Sequence, residues 1–217
     1  MTRANYDESL KELYHEVIQM ASVVENALSR TMLALTKKDK ALAKAIMKND
    51  DDIDERHNRI EEKCISLIAT QQPIASDLRL IISILNMITD LERIGDHASD
   101  ICKMMLEIED IKIINSISRF SQMVEVAARM VRTSIDAYAY GDVEMAKDTQ
   151  ALEDEMDALF GEVIVSLKEE MKLNPNVIEE CTNLIFISKY LERVGDHATN
   201  LCESIVYNIT GRHEHLN

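Results

Sequence analysis

The sequence predicts an all-α protein made of two tandem three-helix bundles: six long antiparallel helices with an internal pseudo-repeat. Three observations lead there. Helix-breaking residues are scarce, apolar residues recur at helical spacing almost throughout, and one twelve-residue segment occurs twice. Only 5 Gly and 2 Pro are found in 217 residues, against roughly 7% and 5% in average proteins, which disfavours folds that need many tight turns. The 46% apolar content is enough for a sizeable core and argues against intrinsic disorder.

The apolar spacing sets helices at roughly 5–36, 40–70, 74–108, 116–139, 143–172 and 176–209. The punctuation between them is Lys37-Lys38-Asp39, Pro73, a soft region from Glu109 to Asn115, Gly141-Asp142 and Asn174-Pro175. Connections this short join antiparallel neighbours. The segment Leu91-Glu92-Arg93-Ile94-Gly95-Asp96-His97-Ala98-Ser99-Asp100-Ile101-Cys102 recurs as Leu191-Glu192-Arg193-Val194-Gly195-Asp196-His197-Ala198-Thr199-Asn200-Leu201-Cys202. Eight of the twelve residues are identical, which chance does not produce. Upstream, Asp39 aligns with Asp142, Ala43 with Ala146, Ile53 with Met156 and Asp54 with Asp157. The expected domains are therefore residues 1–110 and 111–217, each one copy of a three-helix unit.

With 24 Lys and Arg against 39 Asp and Glu, the formal net charge is −15. Such a surface repels phosphate backbones and anionic lipid, so nucleic acid is not an expected ligand. Four dispersed cysteines, without zinc or redox spacing or a recognisable signal peptide, fit reduced thiols in a cytoplasm. The longest apolar stretch, Leu78 to Thr89, is interrupted by Arg79, Ser83 and Asn86. It is also shorter than the ~20 residues of a bilayer span, so no membrane crossing is expected.

The acidic residues of the repeat carry the chemistry. At ~100° per residue, Glu92 and Asp96 lie about 20° and 60° from Ile81, on the line of the apolar stripe. Asp50 and Asp54 flank the seam of the second helix in the same way, and Glu153, Asp157, Glu192 and Asp196 are their repeat equivalents. An unpaired carboxylate at such a place costs several kcal/mol or takes up a proton. Pairs at i,i+4 on two facing helices can instead surround a cation with four or more oxygens. Asp100 continues the stripe, with Asn200 as the weaker oxygen donor of the second copy. Hard oxygen ligands favour iron, with zinc, manganese or magnesium as alternatives. Gly95 and Gly195, inside helices, leave room for close helix approach beside the site.

Other readings compete. Arg93 and Arg193 could neutralise the acids, although at i+1 from each Glu they point to another face; Arg79 or a residue on a third helix could do so instead. His97 and His197 lie opposite the seam, which suits support, interface or surface roles. His57 and Glu61 face the seam, but their equivalents Phe160 and Ile164 cannot ligate. A ferritin-like di-iron oxidase needs two Glu-x-x-His motifs, and only Glu12-Leu13-Tyr14-His15 qualifies. The tail from Gly211 to His215 is expected to fray. A carboxylate-bridged metalloenzyme (oxidase or hydrolase) and a metal-free helical adaptor thus stand beside a metal-binding interaction protein.

At these residues the chain resembles the PhoU family of phosphate-uptake regulators. Gln72-Pro73-Ile74-Ala75-Ser76-Asp77-Leu78-Arg79 with Asp90 to Asp96 is similar to its first-copy signature, and Tyr190 to Ala198 to its second. The resemblance implies a non-enzymatic, cytoplasmic negative regulator of phosphate uptake and phosphate-responsive signalling. Its implied partners are the ATP-binding subunit of the phosphate ABC importer and a sensor histidine kinase. It would meet the membrane only through them, and homodimerise. It also implies metal ions or clusters at Asp50, Asp54, Glu92, Asp96, Glu153, Asp157, Glu192 and Asp196. The second copy departs from the pattern at Asn200 and lacks the Pro-Ile-Ala-Ser-Asp-Leu-Arg stretch.

Overall fold

The computed structural model describes residues 3–48, 51–109, 114, 117 and 119–216. Among these, the order is α1 (Arg3–Lys37), α2 (Lys40–Met47), α3 (Asp51–Gln71), α4 (Ser76–Glu107), α5 (Phe120–Tyr140), α6 (Val143–Lys147), α7 (Thr149–Leu173), a 3-10 turn at Pro175–Val177, and α8 (Ile178–Thr210), with no strand. The fold is all-α, as the sequence predicts, and six helical rods account for it, two of them divided.

The divided rods are those expected at 40–70 and 143–172. Each opens on an aspartate that the repeat alignment pairs. The Asp39 carboxylate accepts from the amides of Ala41 and Leu42 at 3.0 and 2.9 Å, and Asp142 from Glu144 and Met145 at 3.0 and 3.1 Å. These N-caps satisfy donors that a helix start leaves without partners. At the second division Asp148 keeps helical angles (φ −63, ψ −17), so the rod bends rather than ends. The buried hydroxyl of Thr149 there bonds the Ala146 carbonyl at 2.6 Å, a contact that competes with the helical ladder. α5 begins at Phe120 rather than near 116, after Arg119 in a left-handed conformation (φ 68).

Side-chain contacts fix the directions. Glu16 meets Lys63, Ile53 approaches Gly95, and Thr31 lies against Ala98, so α3 runs antiparallel to α1 and α4. In the second copy Arg119 pairs with Glu162 and Thr199 with Glu153, which sets α7 antiparallel to α5 and α8. The copies join through α4 and α8, which run antiparallel with Asp90 at His197 and Arg79 at Asn208. Buried Ile84, Ile88, Leu91, Ile101, Leu184, Ile187, Leu191 and Val194 come from these two helices, and the buried apolar residues form one continuous core. All four cysteines are buried and none forms a disulfide.

The tail is not frayed. Gly211, at φ 73, ends α8 in a left-handed turn, and the chain returns along the helix. Leu216 is 4% exposed and its amide donates to Glu203 at 2.8 Å, while His213 stacks on Tyr207 at 4.0 Å. Among the described residues no helix is long and apolar enough to cross a membrane.

Candidate metal centre

The seam between α3 and α4 is close because position 95 carries no side chain. A Cβ there would lie 2.7 Å from Cδ1 of Ile53, inside van der Waals contact. Ile53 is buried, and Asp54 follows it at the exposed edge of α3. Glu92 and Asp96, one turn apart on α4, are half-buried. Oxygen atoms of Asp54, Glu92 and Asp96 all lie within 4.8 Å of one another.

That spacing suits one cation. Two oxygens bound to the same ion at ~2.0–2.6 Å can be separated by at most about 4–5 Å. Without an ion the three carboxylates repel. Burial pushes the Asp96 carboxyl above its ordinary range, and Asp54 and Asp100 add to this, against the opposing pull of Arg93. A divalent ion held by Asp54, Glu92 and Asp96 would offset both the burial and the like charge.

Arg93 departs from the sequence expectation. Its guanidinium reaches back to Asp96 at 3.1 Å and stands 3.8 Å from Glu92. The side chain is half-exposed, so solvent screens this counter-charge and it is easily displaced. Arg79 is elsewhere: its Nε donates to the Asn208 carbonyl at 3.2 Å, and its guanidinium lies against Gly211. Asp100 pairs with Lys103 at 2.9 Å and lies 3.9 Å from His97, one turn past the three-oxygen group. Asp50 lies outside the described residues.

The second copy is arranged differently. Glu153, only 7% exposed, accepts from the Thr199 hydroxyl at 2.7 Å and lies against Asp196, with Asp157 nearby. Burial pushes its carboxyl up to about 7, the Thr199 bond opposes this, and Asp196 and Asp157 reinforce it. Glu192 is paired with Lys189. Asn200 turns its amide toward Asp90 at 3.3 Å, at the α4–α8 contact rather than among the carboxylates. There Asp90 also meets His197 at 2.9 Å, and His97 packs between His197 and Tyr190 at 5.6 and 5.5 Å. Both histidines therefore serve the junction between copies.

The raised Glu153 carboxyl makes a pH prediction. Because the folded protein holds this proton more tightly than the unfolded chain, the stability that Glu153 contributes is full below about pH 4.5 and is lost as pH rises through about 7. In chelated protein Glu153→Gln should abolish that loss and be more stable than wild type at pH 8 by about 2–3 kcal/mol. Parallel urea denaturation curves for the two proteins between pH 5 and pH 8 would contradict this.

Three participants escaped sequence reasoning. Lys189 sits at i−3 from Glu192, a spacing that could have exposed it. Thr199 was visible only as the repeat partner of Ser99. Arg93, at i+1 from Glu92, points to another face by angular count, which ignores the reach of a long side chain.

The fold and this site define a class: a duplicated three-helix-bundle protein with a carboxylate seam in each copy. The PhoU domain matches residues 17–105 and 120–205, one stretch per copy, and the chain belongs to the PhoU family. It is similar to a phosphate-specific transport system accessory protein PhoU homolog of Clostridium acetobutylicum, at 38% identity over all of both chains. It is also 34% identical to the homolog of the same description from Rhizobium meliloti, over 95% of this chain and 87% of that one. Crystal structures of PhoU from Pseudomonas aeruginosa and of the phosphate transport system regulatory protein PhoU from Streptococcus pneumoniae superpose with TM-scores of 0.87 and 0.88. Both are 29% identical to this chain; they cover 95% and 96% of it, and it covers 100% and 99% of them. The relatives are named accessory or regulatory proteins rather than enzymes.

Proposed function

We propose that this chain is a cytoplasmic accessory protein of phosphate-specific transport that restrains phosphate uptake and phosphate-responsive signalling by protein contact. Its partners in this reading are the ATP-binding subunit of the phosphate importer and a sensor histidine kinase, and it acts as a homodimer. The observation that carries the reading is the full-length match to a relative named for that transport system. Seams loaded with divalent cation, iron first and zinc, manganese or magnesium after it, would set the surface charge and helix geometry that the partners recognise. Asp54, Glu92 and Asp96 would hold the ion in the first copy, and Glu153, Asp157, Glu192 and Asp196 supply the carboxylates of the second.

The bound ion would supply fixed positive charge. The chain's own part is to hold α3 and α4 at the separation that Gly95 permits and to bring the oxygens of Asp54, Glu92 and Asp96 within reach of one ion. Association with the ATP-binding subunit is the test, measured by biolayer interferometry on protein purified without an affinity tag. Metal-replete protein should bind, and exhaustive chelation should weaken binding by tenfold or more. Equal affinity with and without metal would overturn the metal-dependent part, and absence of binding in both states would overturn the partner. Turnover that scales with added iron and dioxygen would favour the metalloenzyme alternative.

A further inference from the structure

Among the differences between the two carboxylate seams, one lies one turn before the Glu of each seam. Position 189 is Lys, whereas its counterpart one hundred residues earlier is Thr89. The Thr89 hydroxyl bonds its own helix, at the Leu85 carbonyl at 3.0 Å, and takes no part in the first seam. The Lys189 ammonium is paired with Glu192 and stands 5.5 Å from the centre of the Phe160 ring. Phe160 aligns with His57 in the first copy, so the aromatic platform is also particular to the second.

Glu192 is the more enclosed of the two equivalent glutamates, with 13% of its side chain exposed against 24% for Glu92. The Lys189 side chain is itself 43% exposed, against 52% for Arg93, so what sets its pair apart from that of the first copy is the more enclosed carboxylate and the aromatic ring beside the ammonium. Glu153 is held by Thr199 at the same time. Two of the four second-copy carboxylates are thus already engaged. Among the described residues, only Asp54, Glu92 and Asp96 of the first copy bring three such donors within 4.8 Å.

We propose that Lys189 is the built-in cation of the second seam: its ammonium group takes the position of a metal ion beside Glu192, so that the first copy loads with divalent cation before the second. The inference rests on the metal reading of the seams given above. Lys189 is a positioning residue that sets affinity, and the second seam fills only when its side chain moves out toward solvent.

Manganese titration of the chelated full chain, followed by calorimetry and electron paramagnetic resonance, tests it. Wild type should show one tight class and a second at least tenfold weaker, with Asp54→Asn removing the tight class and Asp157→Asn the weak one. Lys189→Met, which keeps the apolar stem over Phe160, should tighten the weak class by tenfold or more. Thr89→Lys should weaken the tight class by a similar factor. Lys168→Met, which removes one charge from the exposed face of α7, should shift both classes by less than about twofold, as a screened distant charge does. Two equal classes in wild type, unchanged by Lys189→Met, would overturn the inference while leaving metal binding intact. No manganese bound by wild type or by Lys189→Met would overturn both.

Discussion

Saturating manganese or ferrous iron is expected to raise the melting temperature of the chelated protein by about 5–10 °C. A ligand at a hundred times its dissociation constant adds about 2.7 kcal/mol to the folded state when it does not bind the unfolded chain. For a chain of this length each kcal/mol moves the midpoint by about 2–4 °C. The ion would gain this energy from Asp54, Glu92 and Asp96, whose oxygens lie within 4.8 Å of one another. An Asp54→Asn, Glu92→Gln double variant should therefore melt higher than wild type without metal, because like charge is removed, and should rise with metal by clearly less than wild type, only by what the weaker second seam contributes. Differential scanning calorimetry on both proteins with and without chelator checks the pair of results. An equal rise in the double variant would place the binding elsewhere.

Gly95→Leu should cost about 2 kcal/mol or more and weaken cation binding by at least tenfold. A leucine gains about 1 kcal/mol of helix propensity over glycine, and overpacking typically costs 1–3 kcal/mol. Here the collision dominates, because even a Cβ at position 95 would stand 2.7 Å from Ile53 Cδ1 and 3.4 Å from its Cγ2. Moving Ile53 moves Asp54, its neighbour, away from Glu92 and Asp96, which links packing to binding. Gly95→Ala is the graded case: Cδ1 is the end of a side chain and can turn aside, and Ile53→Val removes it altogether. The Gly95→Ala, Ile53→Val pair should therefore couple favourably, by about 0.5–1 kcal/mol in a double-mutant cycle. Urea midpoints and manganese titrations give both quantities. Stability within about 0.5 kcal/mol of wild type for Gly95→Leu, with unchanged affinity, would contradict the close-approach account.

Much of the architecture was legible because helical periodicity is a strong local signal and the repeat is long. Asp39 and Asp142 could be matched by alignment and prove to be equivalent N-caps. The divisions after Met47 and Lys147 were not legible, since neither carries Gly or Pro: the second depends on Thr149 bonding back to Ala146, a choice made by the buried environment. The seam was readable as an angle on a helix wheel, and Asp54, Glu92 and Asp96 do converge. What the wheel could not give was the partner on the other side. The wheel puts His97 and His197 opposite the seam, yet only the fold shows that α4 and α8 meet there and draw Asn200 to Asp90. The tail looks loose in sequence because its anchors, Glu203 for Leu216 and Lys147 for Glu214, lie outside its own sequence neighbourhood.

The relation between the two seams bears on how such a protein could report a cation. If one copy carries its own ammonium and the other does not, partial loading changes the charge of one bundle alone, and partners that touch only one copy would sense it.

Anomalous diffraction from crystals grown with excess ferrous iron tests the central claim most directly. The account predicts a peak among Asp54, Glu92 and Asp96, with Arg93 displaced toward solvent. Ordered carboxylates at those three positions with Arg93 still bridging Glu92 and Asp96, and no peak between them, would contradict it.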